Sequence, residues 1–446
     1  MVVALERFQD TEFLAKAILY AREKGFMREA PVMGAVVLSK KDIGLYKRIY
    51  TKVMRNPRDW EKLIDICRSK AIRQGLGRAI KNSIKYAVSQ MTAYHAVKYP
   101  SAVRDMIRIA RIPEKVNPTV IKYIMENDHS IHETLKILKA IKEEEDPKKV
   151  AKLIREAKLP YEVVTGSVNK MAPEIWEALL YSAPYFNLLR NLNNFGRNGV
   201  FKKKKNLEYA IKTLTDPERI RSSMLFPFRY YVAYKMLEDF EGSEELRNAI
   251  LKALEYSVVN VPEIEGRVAI CPDVSGSMAS NLTGDNSVVQ CIDLVGLFTG
   301  ILAKKCKDTP KVLPFRHEVV LEMGEKAVMG ETVMDIADVF YASGGTSLSS
   351  PIQHLLENDI KVDRIIAFTD NEEWVGTSFH KALAEYLNRY PDTHVYLVTL
   401  LPYRDYPTPT DHPNVHYIFG WNDNVLKYIL MDKDAQIKEV ENINIP

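Results

Sequence analysis

The hydrophobic period of the chain changes once, at Val261-Pro262, and this calls for two domains of different class. Before that point, apolar residues recur at helical spacing in segment after segment. Phe13, Ala17 and Ala21 stand at i, i+4 and i+8. Within Arg78–Lys98, Ile80, Ile84 and Val88 form one stripe, with Lys81 and Lys85 off it. Further helices are predicted over Lys41–Val53, Pro57–Ser69, Asn117–Glu126, Ile131–Ile141, Lys149–Ala157, Pro173–Ser182, Tyr185–Phe195, Phe228–Asp239 and Ser243–Tyr256. Asn56-Pro57, Asp146-Pro147 and Asp216-Pro217 each offer an N-cap side chain followed by proline at the first helical position. Helix pairs of about 35–45 residues without a strict repeat fit a HEAT-like stack; a globular helical bundle fits the same pattern.

From Gly266 onward, short apolar runs alternate with amphipathic segments. Strands are predicted at Arg267–Pro272, Arg364–Thr369, His394–Leu400 and Val415–Phe419. Lys311–Phe315 and Glu318–Glu322 read as two strands of a hairpin that supplies an antiparallel edge. Helices are predicted over Ser287–Lys305, Glu331–Phe340, Ser350–Asn358, Ser378–Tyr390 and Asp423–Leu430. Strands alternating with helices call for a parallel sheet covered on both faces. The reading is therefore multidomain: an all-α HEAT-like helical-repeat domain over residues 1–262 and a doubly wound, Rossmann-like α/β domain over 263–446.

Composition narrows the class. Of the 446 residues, 46% are hydrophobic and 27% charged, which excludes a disordered or collagen-like chain. The longest apolar stretch, Val288–Ala303, is interrupted by Gln290 and Asp293, and no signal peptide is visible in Met1–Asp10. Cys67, Cys271, Cys291 and Cys306 form no CxxC pair and read as reduced, mostly buried thiols of a cytoplasmic protein. Charge is unevenly shared. Residues 1–262 hold 47 Lys and Arg against 31 Asp and Glu, whereas residues 263–446 hold 15 against 27. The first part is a candidate polyanion binder, or simply carries a solvated basic surface.

Asp273-Val274-Ser275-Gly276-Ser277 follows the first strand directly, and Asp370 closes the strand Arg364–Thr369. Gly344-Gly345-Thr346 lies between them. Ligands of a doubly wound sheet sit beyond the carboxyl ends of its strands, where strand order reverses. If the two strands are neighbours, these oxygens converge. Carboxylate and hydroxyl oxygens without His or Cys suit Mg²⁺ or another hard divalent cation. Taken singly, Asp273 and Ser277 read equally as turn or cap residues.

Ile270–Met278 (ICPDVSGSM) resembles the metal-ion-dependent adhesion site of von Willebrand factor A domains, and SGGTS and AFTDN resemble the family's other two site loops. The resemblance covers about Gly266–Leu430. It implies that Ser275, Ser277 and Thr346 bind the metal directly, with Asp273 and Asp370 bound directly or through water. It also implies a partner whose acidic group completes the coordination sphere.

The helical half carries a basic segment, GLGRAIKNSIKYAVSQMTAYHAVKYPSAVRDMIRIAR, over Gly75–Arg111. Arg78, Lys81 and Lys85 recur at helical spacing, Arg104 and Arg108 share a face, and Lys98 and Arg111 extend the charge. Tyr86, Tyr94 and Tyr99 interleave as stacking groups for unpaired bases, or as core residues. Lys202–Lys205 is a four-lysine loop that either adds outer contacts or serves solubility.

GRAIKNSI, AYHAVKY and RDMIRIAR resemble the TROVE module of the Ro autoantigen family. Lys158-Leu159-Pro160, Trp176–Leu180, Leu188–Phe195 and Phe226–Phe228 resemble its later helices. The order of a helical array followed by a von Willebrand factor A domain is the family's own. Val103 stands about where the family has a histidine after a tryptophan-bearing loop. The resemblance implies a ring of HEAT-like helices closed by the A domain, and an RNA-binding scaffold in RNA quality control. Its partners would be small noncoding Y-like RNAs, misfolded RNAs with single-stranded 3′ ends and an exoribonuclease.

A metal-dependent adhesion or chaperone-like scaffold without specific RNA binding is the competing class. A hydrolase would need a positioned base or nucleophile besides the ion. The nine histidines are scattered, and no HExxH, GxSxG or P-loop occurs. Glu372 and Glu373 follow Asp370 closely but read equally as surface residues. The expectation is a non-enzyme.

Overall fold

A computed structural model describes all residues except 1, 26, 71, 73, 158, 169–170, 283–287, 371–377, 402–411, 421–422 and 431–432. Glu372, Glu373 and Lys158 lie outside the described residues. The chain forms two compact units, Met1–Pro184 with Asp432–Pro446, and Tyr185–Met431.

The first unit is helical. Helices Thr11–Glu23, Glu29–Lys41, Ile43–Val53, Pro57–Arg68, Gly77–Ser89 and Pro100–Ala110 pack on near neighbours in the chain, as in a HEAT-like array. Asn56, Asp146 and Asp216 cap helices as expected, each with proline next. Asn56 forms a full capping box with Asp59. Asp59 is also the buried partner of Arg22, at 2.6 Å, which ties two helices together through the core. The stripe on Thr11–Glu23 lies one residue away from the one predicted. Leu14, Ala15, Ile18 and Leu19 are buried, while Phe13, Ala17 and Ala21 flank them. Arg78–Lys98 is two helices, Gly77–Ser89 and Ala93–Lys98, broken at Gln90–Thr92. Ile80, Ile84 and Val88 are fully buried as expected, beside Val103, Met106 and Ile107. Ile443 and Ile445 pack against the same core.

Among the described residues the second unit contains five strands, β1 (Val268–Pro272), β2 (Lys311–Val312), β3 (Arg364–Thr369), β4 (His394–Thr399) and β5 (Val415–Phe419). All pair in parallel, in the order β2-β1-β3-β4-β5. The predicted antiparallel hairpin does not form. Phe315 and Val319 make a single antiparallel bridge, and Leu321–Met329 is a helix. Its Gly324 lies so close to the Val312 carbonyl that a Cβ there would sit 2.2 Å away. Successive strand residues face opposite sides. Ala269, Cys271, Ile365, Ala367, Val395 and Leu397 face the helices Ser350–Glu357 and Phe379–Arg389. On the other side Phe368 packs on Phe298 of helix Cys291–Lys305.

Compactness thus divides the chain at Pro184, earlier than the hydrophobic period does at 262. The helices Pro227–Met236 and Ser243–Ser257 belong with the sheet because they bond to its covering layer. Tyr231 Oη donates to Asp293 Oδ1 (2.8 Å), Lys235 Nζ lies 3.1 Å from the same carboxylate, and the Val333 amide donates to Glu255 Oε1 (2.9 Å). Lys202–Lys205 is not a loop: Lys202 ends a 3-10 turn and Lys204–Leu214 is a helix. All four lysines are exposed.

Candidate metal centre and basic helical face

Strand order reverses between β1 and β3, and both strand-terminal aspartates stand there. Pairing continues past β1: the Asp273 amide donates to Phe368 O (2.9 Å) and the Val274 amide to Phe315 O (2.8 Å). The next residues turn inward. The Ser275 amide donates to Asp273 Oδ1 (2.9 Å), and Thr369 Oγ1 donates to Asp273 Oδ2 (2.7 Å). Ser275 Oγ and Ser277 Oγ lie 3.1 Å apart.

The glycine loop is stitched to this turn. The Gly276 amide donates to Gly344 O (2.9 Å) and the Ser343 amide to Val274 O (2.8 Å). A Cβ on Gly276 would meet Gly344 O at 3.2 Å, and Gly344 takes φ +77°. The left-handed φ favours glycine at Gly344, and a side chain at Gly276 would crowd the facing carbonyl. Asp273, Ser275, Thr346 and Asp370 are buried, and Ser277 is partly exposed.

Burial pushes the Asp273 carboxyl up to about 7, and Asp370 adds to this; bonds from Ser275 and Thr369 act against it. The Cys291 thiol is pushed up to about 12 by burial and by the same two carboxylates. It stays protonated and contributes no thiolate. A pair of buried carboxylates faced by hydroxyls is costly unless a cation joins it. Among the described residues no three His, Cys, Asp or Glu gather round one point. Asp273 interacts with Asp370 and bonds to Ser275 and Thr369, with the Ser277 hydroxyl beside Ser275; carboxylate and hydroxyl oxygens of this kind suit a hard cation. Thr369 and Arg316 were not singled out from sequence. Arg316 Nη1 donates to Ser343 Oγ (3.0 Å) and its carbonyl accepts from the Ser347 amide (2.7 Å), so it braces the glycine loop. No periodic signal marks it, since its role depends on a loop almost thirty residues away.

The basic residues lie in the first unit. Arg78, Lys81 and Lys85 are exposed on Gly77–Ser89, Arg104 and Arg108 on Pro100–Ala110, and Arg111 at that helix's left-handed C-cap. The two helices pack together and share a core, which leaves these cations on the outside. Among the described residues none of the six has a carboxylate within 4.0 Å. Lys98 differs. Its ammonium donates to Tyr94 Oη (2.8 Å), lies 3.5 Å from Glu162 and sits over the Tyr94 and Tyr99 rings. Tyr94 and Tyr99 are therefore occupied within the fold, whereas Tyr86 is 50% exposed. Val103 is fully buried and offers nothing to a ligand.

An α/β domain with DxSxS, GGT and a strand-terminal Asp at its switch point is of the von Willebrand factor A type, here following an array of helices. Family models agree in the same order: a TROVE domain matches residues 162–265 and a Ro60 vWA domain matches residues 267–429. The chain belongs to the Ro family. The RNA-binding protein RO60 of Deinococcus radiodurans is 26% identical over 247 residues, covering 51% of this chain and 44% of that protein. The RNA-binding protein RO60 of Caenorhabditis elegans is 26% identical over 230 residues, 48% of this chain and 33% of that one. The aligned part thus spans less than half of either relative. The crystal structure of the Deinococcus radiodurans RO (RSR) protein matches with a TM-score of 0.67 at 17% identity, over 95% of this chain and 94% of that one. The shared fold is therefore a helical array with an A-type domain.

Proposed function

We propose that the chain is a Ro-type RNA-binding scaffold and not an enzyme, acting in the cytoplasm on Y-like noncoding RNAs and on structured RNAs with single-stranded ends. The observation that carries this is the exposed set of six cations with no carboxylate partner among the described residues, on a member of a family whose curated relatives are RNA-binding proteins. Such a face attracts the phosphate backbone and releases counterions, so affinity falls steeply with salt. It reads shape and strand state rather than sequence. The RNA ends it holds would be handed to an exoribonuclease for quality control.

The test is binding of one hairpin RNA, with and without a single-stranded 3′ tail, across a salt series. Tail-dependent binding that weakens with salt is expected. Lys81→Glu should weaken it several-fold at low salt and flatten the salt slope. Absence of binding by both RNAs would overturn the reading.

The sheet unit favours a second activity at a separate site: capture of a protein carboxylate through Mg²⁺ or another divalent cation. Asp273, Ser275, Ser277, Thr346 and Asp370 would hold the ion. The bound ion would supply an open coordination position for an acidic ligand. Asp273→Ala should abolish metal-dependent partner capture and leave RNA affinity unchanged.

A further inference from the structure

The C-terminal end of the helix that carries Arg78, Lys81 and Lys85 borders a pocket of about 340 Å³. Helix Ile43–Val53 supplies Tyr50, Pro57–Arg68 supplies Trp60, and Gly77–Ser89 supplies Tyr86. Gln90, Met91 and His95 also line it. Tyr50 stands edge-on to both other rings, 6.0 Å from Trp60 and 6.3 Å from Tyr86. Its volume is at the small end of ligand pockets, which span about 300–1,000 Å³. It suits one flat heterocycle and excludes a base pair, which carries backbone on both sides.

Tyr86 connects the pocket to the charges. Arg78, Lys81, Lys85, Tyr86 and Gln90 are all exposed on or just past one helix. At 1.5 Å rise per residue, Tyr86 lies about 12 Å along the axis from Arg78. With about 100° between successive residues, this half-exposed tyrosine stands roughly 80–140° round the helix from the three cations, so a strand that tracks them must cross the helix end to stack a base on the ring. His95 adds a directed polar group. Its Nδ1 accepts from the Thr92 amide (3.2 Å), so the neutral ring carries its proton on Nε2. Burial, and then Lys98, hold its pKa below the ordinary histidine value, which keeps that neutral donor form at pH 7.

We propose that the Tyr50–Trp60–Tyr86 pocket takes one unpaired nucleobase of an RNA strand whose backbone runs along Arg78, Lys81 and Lys85. An aromatic peptide side chain would fill the same space but has no use for the cations. The assignment rests on the RNA-binding reading above and deepens it: the face captures one base as well as phosphates.

The test uses the full chain and two hairpin RNAs. One has a 3′ tail of abasic phosphodiester units; the other has the same tail bearing a single 2-aminopurine. The base-bearing tail is expected to bind about fivefold to a hundredfold more tightly, the range for one stacked base, with its fluorescence quenched. Tyr86→Ala should remove both the gain and the quenching while leaving the abasic tail's affinity unchanged, and Tyr86→Phe should retain them. Equal binding of the two tails by the unaltered protein would overturn the pocket and leave the RNA reading standing. So would a base-dependent gain that survives Tyr86→Ala. Failure to bind either tail would overturn both.

Discussion

Single residues carry the electrostatics of both units. In the metal-free protein Asp273 holds its proton up to about pH 7, whereas in the unfolded chain it loses it near its ordinary value of 3.8. The folded state therefore binds more protons between those values, and this group's contribution makes stability fall as pH rises from 4 to 7, then level off. Melting temperatures of the native chain and of Asp273→Asn, measured from pH 4.5 to 8 without divalent ions, should converge at low pH and separate as pH rises, with the variant more stable. Added Mg²⁺ should raise the native melting temperature most above pH 7 and leave the variant unmoved. In the first unit, Asp59 faces Arg22 in the core, and also accepts from the Arg55 and Asn56 amides. Burial pulls the Arg22 pKa down and Asp59 opposes this. Asp59→Ala strands a buried guanidinium and should cost about 3–5 kcal/mol in denaturant unfolding. Asn56→Ala, which removes the cap and the side-chain bond to Asp59 Oδ2 (3.0 Å) but leaves both members of the ion pair, should cost about 1–2 kcal/mol.

At the scale of elements, the helix Gly77–Ser89 combines three tasks: Ile80, Ile84 and Val88 enter the core, Arg78, Lys81 and Lys85 face solvent, and Tyr86 borders a pocket. Lys98→Ala should affect RNA binding far less than Lys81→Glu in the salt series, because its ammonium already serves Tyr94 and Glu162. The first two tasks were legible in the sequence because helical period separates apolar from charged positions. The commitment of Lys98 was not, since Glu162 lies sixty-four residues away. β3 was read to the residue because a buried parallel strand is a short, continuous apolar run, and the half-exposed edge strand β5 because its residues are mostly β-branched and aromatic. The hairpin failed for the same reason: Val319, Val320 and Leu321 make an apolar run that looks like a strand, yet it leads into a helix packed on β2. The meeting of Asp273 and Asp370 at the switch point was the most legible juxtaposition, for each follows the end of a neighbouring strand. The aromatic pocket was the least, because its walls come from three helices.

For the whole molecule, the unit boundary is the testable consequence. A fragment starting at 263 loses the bonds that Tyr231, Lys235 and Glu255 make to Asp293 and Val333. It should melt lower and associate more readily than one spanning 185–431, as calorimetry and light scattering would show. The motif places a domain start near 263, where the family models also meet, whereas compactness divides the chain at Pro184. A motif marks where a pattern begins, and cooperativity follows buried contacts.

The first unit is also discontinuous. Lys16 donates to Glu441 O, and Arg48 to Ile445 O and Pro446 O, across separations of 397 to 425 residues. On the ribosome, the N-terminal helices must wait with part of their apolar surface uncovered until the entire sheet unit has been translated. At about 5–20 residues per second that interval lasts tens of seconds, an opening for a chaperone or for the protein's own ligand to engage the nascent chain before its last strut arrives.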